Sequence, residues 1–215
     1  MTHWLKTYGV WFLLLWLVVA PAMAMVEPQD LVQETTDKIT SVLRNEQDKI
    51  KENPDHLLEV VDNIVAPHFD FERMSSWVLG KYWRKATPEE KKRFAKEFRT
   101  LLVRTYAKAL NDNYDKQIDM LPVRKKKGGK QVIVRTEVQQ SAGFPIPINY
   151  KMHLKDGKWK VYDVSVDGIS LVANYRTSFA KEVRKDGLPA LIDKLAERNK
   201  TKVAAVTEKT TSEKQ

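Results

Sequence analysis

The sequence of 215 residues contains no cysteine, and this absence removes two classes of chemistry. Without thiols, the chain can form neither a disulfide framework nor a thiolate metal or redox site. It also lacks the GxSxG motif of serine hydrolases and a glycine-rich phosphate loop. The fold must therefore rest on an apolar core. The absence of these motifs gives no support to a serine hydrolase or a nucleotide-binding enzyme.

Long apolar runs are also scarce. The longest, Val10 to Val19, spans about ten residues, whereas a membrane-spanning helix needs about twenty. Lys6 precedes this run and Ala-Met-Ala follows at 22–24, which is the order of segments in a secretory signal. We predict that residues 1–24 are a cleaved signal peptide and that the mature chain begins near Met25. A permanent membrane anchor is the alternative.

Histidine is sparse beyond the predicted signal. His56, His68 and His153 are not spaced as HxH or HxxxH, so the sequence predicts no metal site and no cofactor. Two carboxylates, Asp163 and Asp167, lie where a strand pattern changes to a helix pattern. A carboxylate in an apolar pocket can act as a general base. A helix cap or turn is the other interpretation, and the Asp-Gly pair at 167–168 favours it.

Charge of one sign predominates. The chain has 37 Lys and Arg against 28 Asp and Glu, a net charge of +9, which favours anionic partners. Export makes nucleic acid a poor candidate and makes lipid headgroups a better one. The basic segment RKKKGGK at 124–130 could dock on an anionic membrane or partner. It could equally be a solvated hairpin tip that discourages pairing between sheet edges.

Apolar residues at three- and four-residue spacing predict four helices in the first half of the chain. The first covers Leu31 to Leu43, the second begins at Asn53-Pro54, and the third runs from Asp70 to Leu79 with Gly80 as its stop. The fourth opens with the capping box Thr-Pro-Glu-Glu at 87–90 and carries an aromatic stripe.

Alternating apolar residues then predict strands at 116–123, 131–140, 148–154 and 158–166. An Asp-Gly hairpin turn at 156–157 joins the last two. After residue 168 the spacing becomes helical, from Ile169 to Phe179, and a last helix covers Leu188 to Arg198. The sequence therefore predicts an α+β fold, in which N-terminal and C-terminal helices wrap a twisted antiparallel sheet of about four strands. We expect a single domain over 25–200 and a disordered tail over 201–215.

Three segments carry a resemblance to a known family. They are FDFERM at 69–74, VLGKYWRKATPEEKKRFAKEFRTLLVRTYAKAL at 78–110 and FPIPINYKMHLKDGKWKVYDVSVDGISLVANYRTSFAKEV at 144–183. Together they resemble the MlaC family, also described as toluene-tolerance auxiliary proteins. The resemblance implies a monomeric periplasmic phospholipid carrier without enzymatic activity, which maintains outer-membrane lipid asymmetry. The implied partners are an inner-membrane ABC transporter complex with an MCE-domain ring and an outer-membrane lipoprotein–porin complex.

A carrier of this kind needs an apolar pocket between sheet and helices, and periodicity nominates its lining. The apolar face of the predicted sheet nominates Val134, Val138, Ile148, Tyr150, Met152, Val164 and Val166. The covering helices nominate Trp77, Leu79, Phe98, Leu102, Tyr106, Val172 and Tyr175. Two alternatives remain open at this point: a small cone-like α+β enzyme using Asp163, and a periplasmic adaptor or chaperone that carries no lipid.

Overall fold

The computed structural model describes residues 26–125 and 129–212, with side chains described for 26–123 and 129–200. The predicted signal peptide lies outside the described residues. The helices are α1 Pro28–Asn45, α2 Gln47–Glu52, α3 Pro54–Ile64, α4 Phe71–Leu79, α5 Lys81–Lys85, α6 Pro88–Asp112 and α7 Leu171–Ser212. The strands are β1 Ile118–Lys125, β2 Gln131–Val138, β3 Ile146–Lys155, β4 Lys158–Val166 and β5 Ile169–Ser170.

Side-chain caps fix the beginnings of three predicted helices. Asn53 accepts a hydrogen bond from the Asp55 amide at the start of α3, and Asp70 accepts one from the Arg73 amide at the start of α4. At α6 the predicted capping box is complete, since both of its reciprocal hydrogen bonds are present. The short helices α2 and α5 were not predicted, because five or six residues hold too few turns to display a period.

The sheet is antiparallel, as predicted, with its strands in sequence order from β1 to β5. It has one strand more than expected, since Ile169 pairs with Val166 as part of β5 and does not begin the helix. Positive φ angles of 50° at Asp167 and 77° at Gly168 make this connection a tight hairpin turn. The predicted Asp-Gly turn at 156–157 has the same signs of φ.

Helix α7 contains the two helices predicted after the sheet. They meet at Gly187, whose φ of 85° and ψ of 166° interrupt the helical backbone just before Pro189. The structure then continues as helix to Ser212, whereas the sequence predicted disorder from residue 201. Ala, Lys and Glu in this stretch are good helix formers that can extend an existing helix, and the disordered tail expected over 201–215 stays a prediction.

The helices form an arc that meets the sheet in two places. At one end, α1 packs against β1 and β2; at the other, α4 and α7 pack against β4. Between these ends, α1 packs on α3, α3 on α6, and α6 on both α4 and α7. The central strand β3 therefore lies across from the middle of the arc, and this position determines where a pocket can form.

Candidate functional site

One face of the sheet, here called the inner face, is apolar across four strands. Strand register aligns its side chains in rows, because directly paired residues share a face. The rows are Val132, Met152 and Val161; Val134, Tyr150 and Val164; Thr136, Ile148, Val166 and Ile169; and Val138 with Ile146. All seven sheet residues predicted to line a pocket belong to these rows.

Exposure on the inner face rises from one end of the strands to the other. The row of Val132, Met152 and Val161 is buried, and Val32 of α1 belongs to the same apolar cluster. In the row of Thr136, exposure also rises across the strands: Thr136 is 1% exposed, Ile148 and Val166 are half-buried, and Ile169 is 64% exposed. The inner face is therefore sealed at one end and open at the corner formed by β3 to β5.

This opening is unusual because β3 is the central strand of the sheet, where burial is normally greatest. Its inner-face residues Ile146, Ile148 and Tyr150 all keep partial exposure, while Val134 on the neighbouring strand keeps none. Apolar side chains that face an opposing layer of helices yet stay accessible indicate space between the layers. The corner thus has the character of an apolar binding site.

The predicted helical residues belong mainly to a second apolar cluster. Leu79, Phe98, Leu102 and Val172 are buried there together with Tyr162, and Tyr106 and Tyr175 pack against it while half-buried. Phe69 packs against both this cluster and the inner-face cluster. The structure therefore brings the two predicted sets to adjacent regions, and four of the helical residues are packed core.

Of two further predicted residues, one lies apart from the opening, and the other pairs with Ile146 beside the opening but is buried. Trp77 is 44% exposed and packs on Tyr162 at a centroid distance of 5.2 Å, with the Arg73 guanidinium 5.6 Å from its ring. Val138 is buried at the end of β2. Tyr106 and Tyr175 remain the predicted helical residues with accessible surface and a polar group.

The hydroxyl groups of Tyr106 and Tyr150 stay protonated at neutral pH. Burial, together with the neighbouring hydroxyl of Tyr175, raises the pKa of Tyr106 to about 12. Burial also raises the pKa of Tyr150, although a hydrogen bond with the Thr136 side chain opposes that shift. The polar groups described here are thus hydroxyls, which can meet a ligand without requiring a counter-ion.

Both carboxylate oxygens of Asp163, the candidate general base, accept hydrogen bonds. Register places it beside Lys151, on the face opposite the inner face, because Tyr162 is an extra residue in a β-bulge. One carboxylate oxygen accepts the Val172 amide at 3.2 Å; the other accepts the Lys151 ammonium at 2.8 Å and the Ser170 hydroxyl at 2.7 Å. These bonds give Asp163 the role of a clamp between β4 and the start of α7.

Comparison with known proteins assigns the family. A family model described as MlaC protein matches residues 33–197. This chain belongs to the MlaC family. It is 32% identical over 195 residues to the intermembrane phospholipid transport system binding protein MlaC of Haemophilus influenzae, covering 86% of this chain and 91% of that one. It is also 32% identical to the toluene tolerance protein ttg2D of Pseudomonas putida, covering 77% of each chain.

A solved structure extends the likeness to three dimensions. The phospholipid-binding protein of Ralstonia solanacearum, determined in complex with a phospholipid, matches with a TM-score of 0.74 and 29% identity. The match covers 82% of this chain and 98% of that one. The α+β fold predicted from the sequence is therefore confirmed as the fold of a phospholipid-binding relative.

The periodic patterns of the sequence did not reveal a polar cleft between the start of α4 and the end of β3 in this MlaC-family protein. The cleft has a volume of about 360 Å³ and is lined by Asp70, Glu72, Arg73, Ser76, Trp83, His153, Leu154 and Lys155. Asp70 lies at its centre and accepts hydrogen bonds from the His153 ring at 3.0 Å and the Lys155 ammonium at 3.1 Å. None of these residues was nominated as a binding residue from the sequence, because they lie far apart in the chain and meet where Phe69 pairs with Val161.

The tautomer of His153 follows from its partners. Arg73 can only donate, so Nδ1 of His153 accepts its hydrogen bond at 3.3 Å, and Nε2 carries the proton given to Asp70. Burial and the Arg73 charge lower the pKa of His153, against the pull of Asp70. Burial raises the pKa of Asp70, but hydrogen bonds from the Arg73 amide and Lys155 outweigh it, so that pKa is also lowered.

These directions predict a loss of stability on mild acidification. A histidine whose pKa is lower in the folded than in the unfolded chain stabilises the fold above its unfolded value of about 6.5, and that contribution is lost as the pH falls. The free energy of unfolding, measured by urea denaturation, should therefore decline from pH 7 to pH 5. The variant H153Q should reduce this decline. His68, whose pKa is also lowered by burial, adds a contribution of the same sign.

The variant H68Q is the matched control for that experiment. It should remove a separate part of the decline, and the double variant should show the flattest profile between pH 7 and pH 5. An unchanged slope in H153Q would show that protonation of this histidine is not coupled to folding.

Within residues 26–125 and 129–212, two features are absent. None of the helices in that part of the chain combines the length and apolar character that a membrane crossing requires. No group of three or more histidine, aspartate or glutamate side chains in the same part is arranged to hold a metal ion.

Proposed function

We propose that this protein is a periplasmic phospholipid carrier, which moves glycerophospholipid between inner- and outer-membrane complexes and so maintains outer-membrane lipid asymmetry. The observation that carries the proposal is the inner face, apolar across four strands yet open at the β3 to β5 corner. Membership of the MlaC family supports it, as does the fold shared with a structure that contains a phospholipid. The acyl chains would lie on the inner face, and the headgroup would remain at the opening.

The energetics favour a sheltered route for a lipid. Burial of each methylene is worth about 0.8 kcal/mol, so two acyl chains represent on the order of 20 kcal/mol that bare lipid would lose on entering water. A protein pocket offers an apolar environment comparable to the donor bilayer. The free energy of transfer between bilayer and carrier should then lie near zero, and the direction of transport would be set by the partner complexes.

The proposed partners are those of the Mla pathway. We infer an inner-membrane ABC transporter complex with an MCE-domain ring, an outer-membrane lipoprotein–porin complex, and no nucleic acid. The protein would act as a monomer, with phospholipid as cargo and without a cofactor. It would not be an enzyme; the three hydrogen bonds that occupy Asp163 support this view, because they leave that carboxylate committed to structure.

Mass spectrometry of the mature protein tests the function directly. The protein is purified from periplasm without detergent, then examined natively and after organic extraction. We expect phospholipid in stoichiometric amount. An empty protein that also takes no lipid from vesicles would contradict the carrier and favour an adaptor that binds protein alone.

A further inference from the structure

The two most exposed large apolar side chains of the described residues lie at the open end of the inner face. Phe144, in the loop between β2 and β3, is 91% exposed, and Ile169, in the β4–β5 hairpin, is 64% exposed. Leaving such side chains in water forgoes most of the free energy that their burial would provide. Their exposure therefore indicates a surface that meets something else.

Strand register places both residues beside the opening. Ile169 pairs with Val166, which pairs with Ile148, so Ile169 is the outermost member of an inner-face row. Phe144 comes two residues before Ile146, which is the first residue of β3 and its inner-face residue nearest the opening. The Asp167 amide donates to the Pro147 carbonyl at 2.9 Å and so holds the hairpin against the start of β3. The two side chains thus flank the same corner of the sheet.

Residues 141–144 of the loop that carries Phe144 are all exposed. Gly143 has a φ of 93°, and a Cβ placed on it would meet no atom within 4 Å. The Lys116 ammonium donates to the Ser141 hydroxyl at 2.9 Å, which holds a cation against the same loop that carries the exposed phenylalanine. An exposed apolar ring on a loop that also holds a lysine matches the interface of a phospholipid bilayer, where acyl chains lie just below phosphate groups.

We propose that Phe144 and Ile169 form an apolar lip that inserts into a phospholipid surface and passes acyl chains to the inner face. The proposal rests on the carrier function proposed above. Continuity favours lipid as the occupant: an acyl chain leaving a bilayer would meet Ile169, then Val166 and Ile148, without crossing a polar side chain. Two isolated side chains offer too little area for a stable protein interface, but enough for brief contact with a membrane.

A lip of this kind affects rates in both directions. The lip lowers the barrier between bilayer and pocket; Phe144 lies outside the inner face, whereas Ile169 is the outermost member of an inner-face row. Loss of either side chain should therefore slow lipid uptake about tenfold, the factor that about 1.4 kcal/mol represents. For F144S, which leaves the inner face intact, the amount of lipid bound after long incubation should equal that of the unmodified protein.

The test uses the mature protein and vesicles of phosphatidylethanolamine and phosphatidylglycerol that carry a fluorescent phosphatidylethanolamine. Transfer of the fluorescent lipid to protein is followed in time for F144S, I169S and the double variant. We expect slower uptake in each single variant and slower still in the double one, while the final occupancy of F144S equals that of the unmodified protein. Melting temperatures should not change, because both side chains are exposed.

Two matched variants separate the lip from general surface effects. F144L keeps an apolar side chain and should keep the rate, and V26S removes another exposed apolar side chain, near the start of the mature chain, without affecting uptake. Uptake by F144S and I169S at the unmodified rate would overturn the lip while leaving the carrier function intact. If the unmodified protein contains lipid when purified but takes none from these vesicles, the lip is also overturned, and loading requires a protein partner.

Discussion

Replacement of Ile148 by glutamate is expected to yield a folded protein that purifies without phospholipid. Ile148 lies on the inner face of the central strand, between Thr136 and Val166, and it is half-buried. A carboxylate there would have to lose its hydration, or bind a proton, when acyl chains cover it. An unsatisfied buried polar group costs about 1–3 kcal/mol, so lipid occupancy should fall by about tenfold or more.

Ile133 provides a matched control within the same sheet. It is half-buried like Ile148, but its pairing with Lys151 places it on the face opposite the inner face. The variant I133E should therefore keep its phospholipid. Lipid is measured in organic extracts of both proteins, and circular dichroism with a thermal melt verifies the fold. Full lipid content in a folded I148E protein would show that the acyl chains lie elsewhere.

Val164 illustrates what the sequence alone left unresolved. Alternation nominates Val164 and Ile148 equally as positions where glutamate would abolish lipid binding. In the structure Val164 is 8% exposed and part of the packed cluster, so a glutamate there would destabilise the fold as well. Loss of lipid in V164E would therefore be uninformative, and Ile148 is the position that separates binding from folding.

Local signals in the sequence were sufficient for most of the fold. Caps at Asn53, Asp70 and Thr87 act within three residues, so they can be read without knowledge of the tertiary structure. The alternation in β2 and β3 revealed the inner face for the same reason. β5 was missed because two residues show no period, and the alternation in β4 was blurred because the bulge at Tyr162 shifts it by one position.

The pocket was less predictable than the fold, because core and pocket both require apolar residues. Phe98 and Ile148 lie in equally regular patterns, yet Phe98 is fully buried among aromatic rings and Ile148 stays accessible. The difference depends on where the arc of helices meets the sheet, which no local pattern encodes. Phe144 was not nominated from the sequence because it lies in a loop, where no apolar periodicity applies. An aromatic residue within a Gly-Phe-Pro bend was the feature that could have indicated an exposed apolar side chain.

Replacement of Asp163 by alanine is expected to cause the largest loss of stability. The Asp163 carboxylate joins three elements: it accepts the Val172 amide at the start of α7, the Ser170 hydroxyl of β5 and the Lys151 ammonium of β3. Alanine would leave buried donors without a partner and would remove the anchor of α7. We expect a loss of about 3 kcal/mol, less than for a fully buried ion pair because Lys151 can turn to solvent.

Thermal and urea denaturation of D163A measure this loss. For a domain of this size each kcal/mol lowers the melting temperature by about 2–4 °C, so the expected decrease is about 6–12 °C. D163N keeps one carbonyl oxygen for the Val172 amide but loses the charge facing Lys151, and it should lose roughly half as much. D167N is the matched control: Asp167 is an exposed turn residue with a φ of 50°, a conformation that asparagine tolerates.

The same series separates the clamp from the catalytic interpretation of Asp163. A clamp predicts that D163N loses stability but, below its melting temperature, still contains phospholipid when purified. A general base predicts instead that D163N keeps its stability, since catalytic carboxylates are often replaced by amides without harm to the fold. Because the carboxylate faces away from the inner face and its oxygens are occupied by three donors, the first pattern follows from the geometry.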